Sequence, residues 1–251
     1  RLDWRRDGKL MGRGLFITGT DTGVGKTFVA TGLAMLLRDL GYRVGVMKPA
    51  ETGCAERNGH LVAEDAERLK AASGCAAAIE KICPYRLPEP LAPSIAAEKA
   101  GVRIDIDHLR AVFEEISAQH DITIVEGAGG LMVPLLPSYT FADFARVLKL
   151  PILVVAANKL GVINHLLLTL EHAGCKGLTV LGYVLNRTAQ EGSLAADTNR
   201  EVLANLTGVP CLGELPFVPA AESLNGFLID LFEREFALGL MEPVLLRPGA
   251  Q

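Results

Sequence analysis

Long hydrophobic runs are missing from this chain. The longest, such as 150–157, are far too short to span a bilayer, so no membrane role is expected. The basic residues Arg1, Arg5, Arg6 and Lys9 have no apolar stretch behind them, which excludes a secretory signal there. Paired cysteines are missing too. Cys54, Cys75, Cys83, Cys175 and Cys211 are odd in number, scattered and free of any C-x-x-C, which argues against a disulfide framework or zinc site and fits a reducing cytoplasm. His60, His108, His120, His165 and His172 form no metal-ligand spacing, so they read as structural. Neither Ser138 nor Ser193 has the G-x-S-x-G context of a serine nucleophile. An excess of positive charge is also absent: the net charge of −4 speaks against broad nucleic-acid binding and for small-molecule work.

What is present is a chain of 251 residues, 49% hydrophobic and 22% charged, enough for a sizeable core in one large α/β domain or two small ones. Its organising stretch is Gly19-Thr20-Asp21-Thr22-Gly23-Val24-Gly25-Lys26-Thr27. The apolar run Leu15-Phe16-Ile17 precedes it, and Val29, Leu33, Leu36, Leu37 and Leu40 follow at helical spacing. Strand, glycine-rich turn and helix are the setting of a phosphate loop. Glycines let backbone N–H groups turn inward around phosphate oxygens, and the helix start adds free N–H groups and a partial positive charge. Lys26 then bridges the terminal phosphates and the Thr27 hydroxyl meets a magnesium ion. The common pattern G-x-x-x-x-G-K-[ST] places a glycine at position 20; here it is Thr20, and the glycine lies one residue earlier.

Taken in order, residues 42–47 read as a second buried strand ending at Lys48-Pro49, and 50–59 as a polar loop at its carboxyl end. A helix carries Asp65, Ala66 and Leu69; Pro84, Pro88, Pro90 and Pro93 then fix a stiff, structured loop. Further helices are expected over 107–120, 140–148 (capped by Thr140, with Asp143 three residues on), 159–172, 194–206 and 221–238. Strands are expected over 122–125, 152–156, 180–185 and 211–215. The alternation, without internal repeats, predicts an α/β fold: one parallel sheet with helices on both faces, of the phosphate-loop nucleoside-triphosphatase type. A single domain over 13–240 is expected, with 1–12 a poorly ordered extension and 241–251 a tail.

In a parallel sheet all strand ends share one edge, which gathers the phosphate loop, Lys48, Glu126, Asn158-Lys159, Asn186 and Pro216. Glu126, after four β-formers and before Gly127-Ala128-Gly129-Gly130, stands where phosphate-loop proteins hold magnesium, usually with an aspartate. Asp65 has a weaker claim than Glu126: on a helix after a loop, such a residue is most often a surface acid or a local cap. Lys48 reads equally as a functional cation or as a charge leaving the sheet edge.

These residues together resemble the dethiobiotin synthetase family. The likeness rests on 19–27, Met47-Lys48-Pro49 with Thr52-Gly53, Glu89-Pro90-Leu91-Ala92-Pro93-Ser94 and 125–130. It continues through Phe141-Ala142-Asp143, Lys159-Leu160-Gly161-Val162-Ile163-Asn164-His165, Asn186 and Gly213-Glu214-Leu215-Pro216, covering about 13–240. The longer glycine spacing is how this family writes its loop. Gly23 stands where some relatives carry an acid, Thr52 replaces a common serine, and the chain from Ala220 on matches poorly.

The resemblance implies an ATP-dependent ring-forming ligase that joins 7,8-diaminopelargonic acid and CO2 (or bicarbonate) in biotin biosynthesis. It implies that Lys26 and Lys48 are catalytic, that Thr27, Asp65 and Glu126 hold Mg2+, and that Gly23, Val24, Gly25, Lys26, Thr27 and Phe28 bind ATP. Gly127, Ala128, Gly129, Asn186, Arg187, Pro216, Phe217 and Val218 complete the implied nucleotide site. Thr52 and, from the partner in a homodimer, Gly161, Val162, Ile163 and Asn164 are the implied substrate contacts. A partitioning-type switch ATPase is the alternative. Such proteins carry an extra lysine where Asp21 stands, and the membrane-bound ones end in a basic amphipathic helix, whereas residues 227–236 have an acidic polar face. A cobyrinic-acid amidating ligase would need an appended glutaminase domain, for which this chain has no room.

Overall fold

The computed structural model describes residues 14–190, 193–219 and 226–239. The expected extension over 1–12, the tail over 241–251 and the start of the last helix at Ala221 lie outside the described residues. In chain order, β1 (Gly14–Gly19) leads into α1 (Lys26–Asp39) and β2 (Val44–Met47). Next come β3 (Ala50–Thr52), β4 (Ala55–Arg57), β5 (His60–Val62), α2 (Glu64–Ser73), α3 (Ile79–Ile82), β6 (Tyr85–Leu87), α4 (Pro93–Lys99) and α5 (Ile106–Ala118). The second half holds β7 (Ile122–Gly130), β8 (Pro134–Leu136), β9 (Tyr139–Thr140), α6 (Phe141–Leu148), β10 (Ile152–Ala157) and α7 (Val162–Cys175). It closes with β11 (Val180–Asn186), α8 (Leu194–Leu206), β12 (Cys211–Leu215) and α9 (Phe227–Glu235).

The six long strands form one sheet in the order β12-β11-β10-β1-β7-β2, with every pairing parallel. Buried on both faces, they read as continuous apolar runs, and successive residues feed opposite cores. Leu15 and Ile17 of β1 pack with α1, α2 and α9, while Phe16 between them packs with α5, α6 and α7 on the other face. The α1 stripe of Val29, Leu33, Leu36 and Leu37 is fully buried or nearly so. At Gly32 on that helix, a side chain would meet the Phe232 ring of α9 at 2.1 Å, so only glycine lets the two helices come this close.

Three local expectations are corrected. The loop expected over 50–59 contains β3, paired in parallel with β6, and most of the β4–β5 hairpin. Asn58 and Gly59 turn that hairpin at φ 52° and 77°, the Asn-Gly signal of a tight turn. The middle strand does not end at Glu126 but runs on to Gly130. It can do so because its glycines admit the phosphate-loop strand: a Cβ at Gly130 would lie 3.0 Å from the Gly19 carbonyl oxygen. The helix expected from 159 begins at Val162, with Gly161 as its N-cap at φ 94°. The Thr140 cap is present as a full capping box with Asp143.

Candidate functional site

The strand ends converge as a parallel sheet requires. Between β1 and α1 the loop turns through Gly23 and Gly25 at φ 73° and 93°, a left-handed backbone that glycine adopts without strain. No side chain caps α1, so its first-turn N–H groups are available to an anion. Lys26 folds back over the loop and donates to the Asp21 carbonyl at 3.1 Å. Burial holds its ammonium down at about 8; Glu126 opposes this and the nearby Lys48 cation reinforces it.

Lys48, one residue past β2, is the centre of the charge network. Its Nζ donates to Glu126 Oε1 at 2.7 Å and to Asp65 Oδ2 at 2.6 Å. The side chains of Lys48 and Glu126 are 4% and 0% exposed, so this is a buried pair. Burial alone would lower the Lys48 pKa, but Glu126 and Asp65 outweigh it and raise the value above the usual lysine range. Asp65 shows the mirror effect: desolvation would raise its pKa, but the Lys48 ammonium outweighs it and holds the value below the usual carboxylate range. The Thr27 hydroxyl donates to Glu126 Oε1 at 2.8 Å. Residues 27, 48, 65 and 126 thus meet in one cluster, from α1, the residue after β2, α2 and β7.

Among the described residues, no group of three His, Cys, Asp or Glu side chains could hold a metal by itself. Two carboxylates and a hydroxyl beside a phosphate loop nevertheless suit magnesium, which keeps several waters and takes one or two carboxylates plus phosphate oxygens. Glu126 Oε2 is buried without a hydrogen-bond partner, an orphaned acceptor of the kind a cation or its water would satisfy. The residues present fit the ion.

A cleft of about 370 Å3 opens from Gly23, Gly25 and Thr27 toward Phe28, Asn186, Arg187, Phe217 and Val218. It therefore unites eight of the residues that the resemblance placed at the nucleotide; Val24, Lys26, Gly127, Ala128, Gly129 and Pro216 do not line it. Asn186 also braces the loop: its Nδ2 donates to the Val24 carbonyl at 2.9 Å, and a Cβ on Gly25 would sit 2.1 Å from that nitrogen. Arg187 is held by Asp197 at 2.9 Å. Pro216 directly follows β12, while Thr52 closes β3 opposite Leu87. Val162, with Lys159 and His165, faces residues 20–24 across a second cavity of about 40 Å3, which shares Gly23 and Thr188 with the cleft; Gly161 lines neither. Ile163 is partly buried and Asn164 exposed there.

Sequence reasoning missed Arg68, Thr31 and Thr188, which also line the cleft. Arg68 lies three residues after Asp65 on α2, a spacing that puts both on one helix side and could have flagged it. It also missed Glu51, whose carboxylate accepts from the backbone N–H groups of Asp65 and Ala66. No local pattern announces a bond across so many residues.

With this geometry in view, comparison with known proteins is decisive. The family profile for the AAA domain matches residues 13–224. The ATP-dependent dethiobiotin synthetase BioD of Anaeromyxobacter dehalogenans (strain 2CP-C) is 44% identical over 229 residues, 90% of this chain and 96% of that one. The protein of the same name from Bacillus cereus (strain G9842) is 43% identical over 204 residues, 81% and 83% of the two chains. This chain belongs to the dethiobiotin synthetase family. Among solved structures, the septum site-determining protein MinD of Pyrococcus horikoshii OT3, complexed with Mg-ADP, matches with a TM-score of 0.54 at 18% identity, covering 93% of this chain and 94% of that one. That likeness is one of fold. It confirms the phosphate-loop architecture expected for a dethiobiotin synthetase and gives the switch-ATPase alternative no support beyond it.

Proposed function

We propose that this protein is an ATP-dependent dethiobiotin synthetase that closes the ureido ring on 7,8-diaminopelargonic acid. The observation that carries the reading is the buried Lys48 ammonium between Glu126 and Asp65, beside Lys26 and the phosphate loop. The chemistry demands such a place. One substrate amine adds to CO2 and loses a proton, giving a carbamate. A carbamate oxygen takes the γ-phosphoryl group of ATP, and ADP leaves. The second amine attacks the carbamoyl carbon, phosphate departs and the ring closes. The second step brings two anions together, so fixed positive charge and positioning do most of the work.

Lys26 and the N–H groups of the 23–27 turn hold the phosphates, and Phe28, Asn186, Arg187 and residues 216–218 line the cleft for the base. Thr27, Asp65 and Glu126 would hold Mg2+, which supplies charge neutralisation at the β- and γ-phosphates. Lys48 orients the carbamate, and Thr52 at the end of β3 helps place the diamine. Gly127, Ala128 and Gly129, which lead to the pairing of Gly130 with Gly19, border the nucleotide beside the phosphate loop. The substrate carboxylate lies at the turn over 161–164 of a second subunit. The exposed Leu160 and Leu168, 85% and 61% accessible, are apolar surface that a homodimer would cover. Domain limits of 13–240 and a cytoplasmic setting complete the proposal; no helix among the described residues is long and apolar enough to cross a membrane.

The test is mass-spectrometric detection of dethiobiotin from diamine, bicarbonate, ATP and purified protein. ATP hydrolysis without ring-closed product would overturn the reading. Light scattering that reports a monomer, or a substrate-bound structure with the carboxylate on the ATP-holding chain, would overturn the dimer.

A further inference from the structure

Helix α2 carries Asp65 in its first turn, yet its own sequence supplies no cap. The N-cap is Ala63, which has no polar side chain, and the first N–H groups of a helix need acceptors. The acceptors come from β3. Glu51 Oε1 accepts from the Asp65 N–H at 3.0 Å and Glu51 Oε2 from the Ala66 N–H at 3.0 Å. Both carboxylate oxygens are therefore committed to the second and third residues of the helix, the bonds a local Ser or Asp cap would make. Glu51 is 9% exposed, so water offers these N–H groups little replacement. The same Asp65 whose backbone is gripped by Glu51 gives its Oδ2 to Lys48 at 2.6 Å.

We propose that Glu51 is a positioning residue for the metal site: by capping α2 from β3 it fixes where the Asp65 carboxylate stands relative to Lys48, Thr27 and Glu126. This deepens the proposed function and rests on its assignment of Asp65 to Mg2+. Glu51 touches neither the ion nor the substrates; it acts through the backbone of the residue that does. Asp65 is the more exposed of the two carboxylates on Lys48, at 36% against 0% for Glu126, and sits at a helix end rather than within a central strand. It is therefore the ligand whose place depends most on an outside brace, because the first turn of an uncapped helix frays.

The readout is the gain in ADP affinity that Mg2+ provides, measured by calorimetric titration of ADP with Mg2+ and with EDTA. Loss of an outer partner of a metal ligand costs about 10–100-fold in metal affinity. Glu51→Ala should therefore keep metal-free ADP affinity within about twofold while losing about tenfold of the Mg2+ gain. Glu51→Gln has one acceptor oxygen in place of two and should recover part of that gain, and it guards against a fold lost in the alanine variant. A purely structural cap would lower the melting temperature and leave the Mg2+ gain at the parent's value in both variants, which would overturn the inference. A parent protein that shows no Mg2+ gain would instead overturn the metal site itself, so the two failures are distinguishable.

Discussion

Replacing Lys48 with methionine removes one charge and keeps much of the side-chain volume. The ammonium is 4% exposed and its partner Glu126 0% exposed, so water cannot take over as solvent for the abandoned carboxylate. Oε2 of Glu126 already lacks a hydrogen-bond partner, and Oε1 would retain only the Thr27 hydroxyl. Breaking a buried pair by removing one member costs about 3–5 kcal/mol, because an uncompensated charge is left behind. Asp65 adds little to that cost, being exposed enough to be hydrated. A loss of that size is a large share of a typical domain stability of about 5–15 kcal/mol. Neutralising the other member should undo it: Lys48→Met with Glu126→Gln should be at least about 2 kcal/mol more stable than Lys48→Met alone, since replacing a whole buried pair is often close to neutral. Urea denaturation of parent, both single variants and the double variant gives the cycle. A loss below about 1 kcal/mol for Lys48→Met, or a double variant no better than the single, would refute the account of Lys48 as the compensating charge for Glu126.

Lys26→Ala should lower turnover by on the order of 10²-fold or more, as loss of a preorganised donor to developing charge does; steady-state rates within twofold of the parent would remove Lys26 from the reaction. Asn186→Ala should weaken ATP binding and its preference over other triphosphates, since the amide both lines the cleft and holds the Val24 carbonyl; nucleotide titration giving unchanged values would remove that role. Asp143 is held down at about 2: burial works against this, but the Thr140 N–H and hydroxyl and the Lys176 ammonium outweigh it. A depressed carboxylate contributes stability above its unfolded value near 3.8 that is lost as pH falls toward 2. Asp143→Asn should therefore cost on the order of 2 kcal/mol at neutral pH and progressively less between pH 4 and 2, as read from denaturation curves at each pH.

Local order determined much of this protein. Apolar runs at strand length, the glycine-rich turn at 19–27 and the capping pair Thr140 and Asp143 declare their structures because the interactions that form them lie within a few residues. Six strands alternating with helices make a parallel sheet the economical arrangement, and such a sheet brings its carboxyl ends to one edge. Lys26, Thr27 and Glu126 were legible for that reason. The β4–β5 hairpin is local in the same way, turning at Asn58-Gly59.

What only the tertiary structure decided depends on contacts between residues far apart in the chain. The strand order, with β1 between β7 and β10, sets Thr27 against Glu126 across 99 residues. Lys48 and Asp65 each had an ordinary surface reading until β2 and α2 brought them within 2.6 Å, with the Lys48 side chain buried and that of Asp65 still open to water. Burial changes the meaning of a charge: an exposed lysine is solvated by water, whereas a buried one must be solvated by named partners. Glu51 is the extreme case. Nothing within four residues of it predicts a helix cap, because the N–H groups it serves lie 14 and 15 residues away and meet it only when the fold brings its side chain to the first turn of α2.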